Sequence, residues 1–145
     1  MRAAGILVVR GDGKVLAFQK HSDKGLSIPC GKIVESDWSI SDAAEREACE
    51  ETMCDIMTYD NRRIFYDTDD RGNEVYTFLG RIVQGSPKPT TEGVPQWVDP
   101  RELLCGEYPV YNRKMLKFFG VINGAEPCRQ IHSLDRSQPS GAQQP

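Results

Sequence analysis

The order of elements along this chain predicts an α+β fold, an α/β/α sandwich around a mixed central β-sheet. Three observations carry that expectation. Strand-like apolar segments open the chain, a single acid-rich amphipathic helix follows them, and more strands lead to a helical C-terminal third.

Gly5-Ile6-Leu7-Val8-Val9 is nearly all apolar and β-branched, which suits a strand buried on both faces. Gly11-Asp12-Gly13 offers the positive-φ positions of a tight hairpin, with Lys14 to Lys20 expected to return as its partner strand. A polar loop leads through Leu26-Ser27-Ile28 to Pro29-Cys30-Gly31-Lys32. The helix that follows is expected to begin near Ser39 or Ser41, either of which can cap its first turn. Residues 55–59 and 63–67 read as extended. The polar cluster 68–73 reads as a turn and 74–83 as a long returning strand. Gln96-Trp97-Val98 is a short strand, followed by Asp99-Pro100-Arg101-Glu102, in which Asp99 caps, Pro100 takes the first helical position and Glu102 completes a capping box. Apolar residues at 111, 115, 118 and 119 predict a second packed helix over 110–119.

The chain has 145 residues, a single-domain length, with a net charge of −3 from 18 basic and 21 acidic residues. That balance argues against a broad basic face for nucleic acid, so no stable nucleic-acid partner is expected. The apolar run 3–9 is too short to cross a membrane and lacks a cleavage site, so it reads as core and not as a leader. Five cysteines with no Cys-x-x-Cys pair read as reduced thiols of a cytoplasmic protein. The apolar pattern fades after Gly120. Residues 1–124 are therefore expected to form the domain and 125–145 a flexible tail.

The chemistry concentrates between Pro29 and Cys54. Glu47, Glu50 and Glu51 stand at i, i+3 and i+4, so their carboxylates leave the helix on one side. Like charges so placed destabilise a bare helix, and a divalent cation would neutralise them. Carboxylates are hard oxygen ligands suited to Mg²⁺ or Mn²⁺. Arg46 is spaced to hold one of the glutamates by a charged hydrogen bond. Gly31 permits close backbone approach to a metal or phosphate, with Lys32 beside it. By themselves these spacings describe an acidic metal site beside a phosphate.

Gly31 followed by Arg46-Glu47-Ala48-Cys49-Glu50-Glu51 resembles the Nudix hydrolase signature, and the flanking segments extend the resemblance over roughly residues 3–119. The resemblance implies hydrolysis of a nucleoside diphosphate linked to another moiety. It implies Glu47, Glu50 and Glu51 as metal-binding and catalytic glutamates, Arg46 as their orienting arginine, and Gly31 as a contributor of its carbonyl to the metal shell. Glu92 resembles the loop acid that in some members binds metal or acts as base, and it reads equally well as a solvated acid. Three departures stand out. Fourteen residues separate Gly31 from Arg46 where the family pattern has thirteen, so Glu35 or Asp37 could supply its first acid. Met53 replaces the glycine after the helix, and Cys30 replaces the first of a glycine pair. Phe65, Tyr66, Tyr76 and Phe78 read as core by strand alternation, with Phe65 and Tyr76 as candidates to stack on a base.

The expected substrate is a small nucleotide, a nucleoside triphosphate with an oxidised guanine nucleotide among the candidates, handled by a monomer or homodimer. ADP-ribose or another nucleotide sugar is the alternative. A catalytically silent nucleotide-binding module and a protein using the acidic stripe for docking are readings of different class.

Overall fold

Ala3 to Val8 are buried on both faces because the strand they form, β1 (Arg2–Val8), runs through the middle of a sheet with helices on either side. The computed structural model describes residues 1–22, 25–59, 63–124 and 127–128. One edge of β1 pairs antiparallel with the short β3 (Cys30–Lys32) and the other pairs parallel with β6 (Glu74–Gln84). At 11 residues, β6 is long enough to pair on its far edge with two strands in succession. Its first half takes β5 (Ile64–Thr68) and its second half takes β4 (Asp55–Thr58), both antiparallel.

The turn at Gly11–Gly13 forms, with Gly13 at φ +90° and Arg10 N–H donating to the Lys14 carbonyl at 2.8 Å. The strand after it, β2 (Val15–Lys20), does not return along β1 as the hairpin expectation had it. Both edges of β1 are already taken, so β2 leaves the sheet after the single bridge Val9–Val15. It pairs antiparallel with β7 (Gly93–Val98) in a second, two-stranded sheet. That divergence makes the sandwich, and it brings Lys20 opposite Gly93.

Helix α1 (Ile40–Thr52) starts from Ser39, whose hydroxyl accepts the Asp42 N–H at 3.1 Å. Ala43, Ala44 and Ala48 are fully buried in one cluster with Ala4, Ile6, Leu16 and Phe78. Small side chains let the helix axis lie close to the sheet, which carries the glutamate face against β3. On the other face, Tyr111, Met115 and Leu116 of α2 (Pro109–Phe118) pack with Ala3, Leu7 and Val75. Between β7 and α2 lies a 3₁₀ helix, Pro100–Cys105, with the expected Asp99–Glu102 capping box. The first amides of α2 are satisfied from outside: the Asp70 carboxylate accepts from Val110 and Tyr111 N–H at 3.0 and 2.9 Å. Arg71 of the same β5–β6 hairpin tip pairs with Glu107.

The cysteines correct one expectation. Cys105 and Cys128 form a disulfide across 23 residues, while Cys30, Cys49 and Cys54 are free. Of the segment expected to be a flexible tail, Pro127 and Cys128 are described, and the rest of 125–145 lies outside the described residues. Among the described residues, no helix is long and apolar enough to cross a membrane.

Helix α1 ends in the left-handed turn for which glycine is the usual residue, but with a side chain in it. Met53 sits at φ 63°, ψ 25°, its N–H donating to the Cys49 carbonyl at 2.8 Å, and it is 62% exposed. A Cβ in this region costs about 1 kcal/mol, and the exposed side chain returns little packing. Met53→Gly is therefore expected to raise Tm by about 3 °C. A calorimetric scan that showed a lower Tm would contradict this account of the cap.

Candidate active site

The glutamate face of α1 meets the backbone of β3 at two points. Cys30 N–H donates to Glu51 Oε1 at 3.0 Å. Gly31 lies directly under Glu47, and a Cβ at position 31 would overlap the Glu47 carboxylate, so the close approach requires glycine. The three glutamates span a gradient of burial: Glu51 is 1% exposed, the Glu47 side chain 14% and the Glu50 side chain 48%.

Arg46 holds this arrangement from the side. Its Nε and Nη2 form a fork on Asp37, 2.8 and 3.0 Å from the two carboxylate oxygens. Nη2 also donates to the Lys32 carbonyl at 3.1 Å, and Nη1 to Glu47 at 3.0 Å and Glu50 at 3.3 Å. One guanidinium thus ties β3, the 33–39 loop and α1 together. The choice between Glu35 and Asp37 resolves structurally. Asp37 takes the arginine, its side chain 5% exposed, and also accepts the Val34 N–H at 2.9 Å, whereas Glu35 is exposed. The bond to Arg46 holds the Asp37 carboxyl below the usual carboxylate range, and Asp37 in turn raises the arginine pKa.

Burial pushes the Glu51 carboxyl up to about 8, Glu47 and Glu92 adding to the rise while the Cys30 N–H and the Lys20 charge oppose it. Burial also raises Glu47, against the pull of Arg46. Glu92, on the loop before β7, stands near enough to act on both, and its carbonyl accepts the His21 N–H at 3.0 Å. Burial and Glu51 raise the Cys30 thiol to about 12, which keeps it protonated and unreactive.

Among the described residues, no three His, Cys, Asp or Glu side chains converge as a ready-made metal cage. Arg46 draws Glu47 and Glu50 towards itself, and Glu51 is bonded to Cys30. The donor set still fits a hard divalent cation. All donors are oxygens, the buried acids repel one another, and Mg²⁺ needs only one or two carboxylates when substrate phosphates supply the rest.

Beside β3 opens a cavity of about 240 Å³. Cys30, Gly31 and Lys32 of β3 line it, together with Lys20 and with Tyr111 and Asn112 of α2. The two aromatic residues read as core, and as candidates to stack on a base, each have ring neighbours in the fold. Phe65 packs on Tyr111 and Phe118 at 5.3 Å centroid distances, and Tyr76 stacks on Tyr66 at 4.6 Å with Arg2 over it. Neither lines this cavity. The strand alternation put both where packing, and not a ligand, claims them. The sequence reading missed Lys20 and Asn112. Asn112 did leave a trace, being a polar residue beside the buried 111 and 115 positions. It is 2% exposed, with its amide donating to the Leu103 carbonyl at 3.0 Å.

An acidic helix clamped onto a glycine-bearing strand, beside a cavity in a mixed α+β sandwich, is an arrangement suited to binding a cation and a phosphorylated ligand. The NUDIX domain model matches residues 1–119, and the chain belongs to that family. It is a Nudix hydrolase acting on nucleoside diphosphate derivatives, a class of enzyme that generally uses a divalent metal ion. Solved structures share the fold. A NUDIX hydrolase from Nitrosomonas europaea aligns with TM-score 0.66 and 21% identity over 82% of this chain and 87% of its own. The MutT protein of Methanosarcina mazei Go1 aligns with TM-score 0.61 and 17% identity over 83% and 93%. An ADP-ribose pyrophosphatase from Streptococcus suis aligns with TM-score 0.54 and 18% identity over 97% and 93%. No curated protein sequence matches the chain significantly.

The Glu51 environment gives a pH signature. A carboxyl whose folded pKa is raised contributes stability fully present below its unfolded value of about 4.5 and lost as pH rises through about 8. In chelator-treated protein, Tm is expected to fall between about pH 5 and pH 8 more steeply than in Glu51→Gln, which keeps the Cys30 bond without the charge. Parallel Tm–pH curves for the two proteins would show that Glu51 is not held in its acid form.

Proposed function

We propose that this chain is a Mg²⁺- or Mn²⁺-dependent pyrophosphohydrolase that converts a nucleoside triphosphate, with an oxidised guanine nucleotide among the candidates, to the monophosphate and pyrophosphate. The observation that supports this most is the apposition of Glu47 on Gly31 and of Glu51 on the Cys30 amide at the end of the cavity. The nucleoside sits in the cavity between β3 and α2, and its phosphates point out past Gly31 towards the helix. Asn112 and Tyr111 face the base, and Lys32 stands at the phosphate end.

Glu47, Glu50 and Glu51 supply the carboxylates, and Gly31 a carbonyl, for the divalent ion. When bound, that ion neutralises developing phosphoryl charge and lowers the pKa of a water for in-line attack. Arg46 keeps Glu47 and Glu50 within reach of the substrate, and Asp37 keeps Arg46 in place. Glu92 or one of the helix glutamates takes the proton from the attacking water at a carboxylate oxygen. The substrate is a free nucleotide, with no nucleic-acid partner, and the working unit is a monomer or homodimer.

Glu50→Gln and Glu51→Gln are each expected to lower turnover by about 10²- to 10⁴-fold, assayed on a nucleotide panel with Mg²⁺ and Mn²⁺. Wild-type turnover in both would remove the helix glutamates from the mechanism. Products separate the substrates: monophosphate plus pyrophosphate from a triphosphate, or AMP plus ribose phosphate from ADP-ribose. Asp37→Asn is expected to reduce turnover through loss of the arginine fork, while Glu35→Gln leaves it unchanged. The reverse order would assign the arginine's partner to Glu35.

A further inference from the structure

Helix α2 covers only part of the sheet face it packs on. Tyr111, Met115 and Leu116 lie over Ala3, Leu7 and Val75, and the chain then leaves the helix at Phe119 and turns at Gly120. Strand β6 runs on to Gln84. By strand alternation Leu79, Arg81 and Val83 continue the face, with Met57 opposite Arg81 and Val9 following Leu7 on β1. This half of the face stays open: Val9, Met57, Tyr59 and Val83 are 40%, 51%, 60% and 41% exposed. A groove of about 410 Å³ lies where it meets the end of α2, with Val9, Tyr59, Leu79, Phe119 and Val121 among its walls. The cavity beside β3 takes Tyr108, Tyr111 and Asn112 from the other end of the same helix. Two guanidiniums stand over rings that wall the groove. Arg81 is 6.0 Å from the Tyr59 centroid and Arg63 is 5.7 Å from that of Phe119. Among the described residues neither forms an ion pair, and Arg63 donates to the Phe118 carbonyl at 3.0 Å. Asp12, next to Gly13 of the same groove, is already paired with Arg10 at 2.7 Å.

Apolar walls beside cations that no carboxylate engages select an anion with an apolar body. A guanidinium held over a ring can still donate from its edge to a carboxylate. A second copy of the chain suits the face badly, because a two-fold contact would set the same guanidiniums against one another. A nucleotide also suits it badly. Apart from the Tyr59 hydroxyl, the side chains in the walls are apolar, so the polar edge of a base would be left unpaired. We propose that the groove is a second binding site, for an amphipathic anion: a medium-chain carboxylate whose alkyl chain covers Val9, Leu79 and Val121 while its head group meets Arg81 and Arg63. Its volume falls in the range of small-ligand sites, and the chain removes from water the apolar surface that α2 leaves open. The site lies apart from the glutamates and does not depend on the reaction they carry.

The test is calorimetric titration of the full chain with octanoate, octan-1-ol and octyltrimethylammonium, which share one alkyl chain and differ in head-group charge, each kept below micelle formation. Octanoate is expected to saturate one site per chain and to bind at least about fivefold more tightly than either of the others. The variants are Val9→Asp and the double replacement Arg63→Gln with Arg81→Gln, each first checked for a wild-type melting transition. The double variant is expected to weaken octanoate about tenfold while octanol binding stays within about twofold. Val9→Asp, which puts a carboxylate on the apolar wall, is expected to weaken octanoate by about tenfold or more. If octanoate gives no saturable heat, or binds no better than octanol, the proposal fails. It fails also if both variants bind octanoate like the wild type, which would place the ligand elsewhere, or if the double variant weakens octanoate and octanol equally. A dimer in solution that Val9→Asp splits would assign the open face to a second copy and overturn the proposal.

Discussion

The site depends on one guanidinium. Arg46 makes five hydrogen bonds, to both oxygens of Asp37, to the Lys32 carbonyl, and to Glu47 and Glu50. These partners belong to three pieces of chain: a three-residue strand, a six-residue loop between that strand and the helix cap, and the helix itself. A planar fork suits this task because it fixes the orientation of each partner as well as its distance, which an ammonium on the same stem would not do. The arrangement is partly exposed, with the arginine side chain at 31%, so its value lies in geometry more than in stability.

Held this way, α1 presses charge onto β3 that the fold alone does not balance. Glu51 is buried with one amide and a distant ammonium for company, and Glu47 lies on bare glycine backbone. A fully ionised pair at that depth would be strongly unfavourable, which is why burial holds the Glu51 carboxyl largely in its acid form at neutral pH. A divalent cation bound there would change this balance, because it would favour the ionised carboxylates.

What the sequence disclosed follows from how local each signal was. The α+β class, a capped helix starting near Ser39 or Ser41 and the Asp99 capping box are read from periodicity and caps, which act within a few residues, and the structure shows all three. Of the expected α2 face, Tyr111 and Met115 are buried, whereas Phe118 is exposed and Phe119 only partly covered. The pairing of β2 was misread because a tight turn implies a hairpin only if the edge of the first strand is free. The edge was claimed by β3 and β6, segments far away in sequence. Phe65 and Tyr76 were open because an aromatic strand residue looks the same whether it meets a base or another ring; neighbours on α2 and β5 decided both. Lys20 carried no local mark at all, since its place opposite Gly93 is set across a two-stranded sheet the sequence did not reveal. Cys105 and Cys128 were read as thiols from spacing alone, and the closure of the α2 segment brings them together.

The extra residue between Gly31 and Arg46 shows how a motif can shift and keep its chemistry. Counted forward from Gly31, the acid falls on Asp37; counted back from Arg46, the place falls on Trp38. The loop settles the matter by turning. Asp37 N–H donates to the Val34 carbonyl at 3.0 Å while its carboxylate accepts the Val34 N–H, a closed turn that aims the side chain inward. Trp38, 95% exposed, is carried outward by the same turn. The helix cap at Ser39 follows, so the longer connection lies wholly within residues 33–38, between β3 and the cap of α1. The shorter aspartate still reaches the guanidinium with both oxygens, because the turn brings its backbone close. A loop one residue longer than the family pattern thus still delivers a carboxylate to the place where the arginine fork ends.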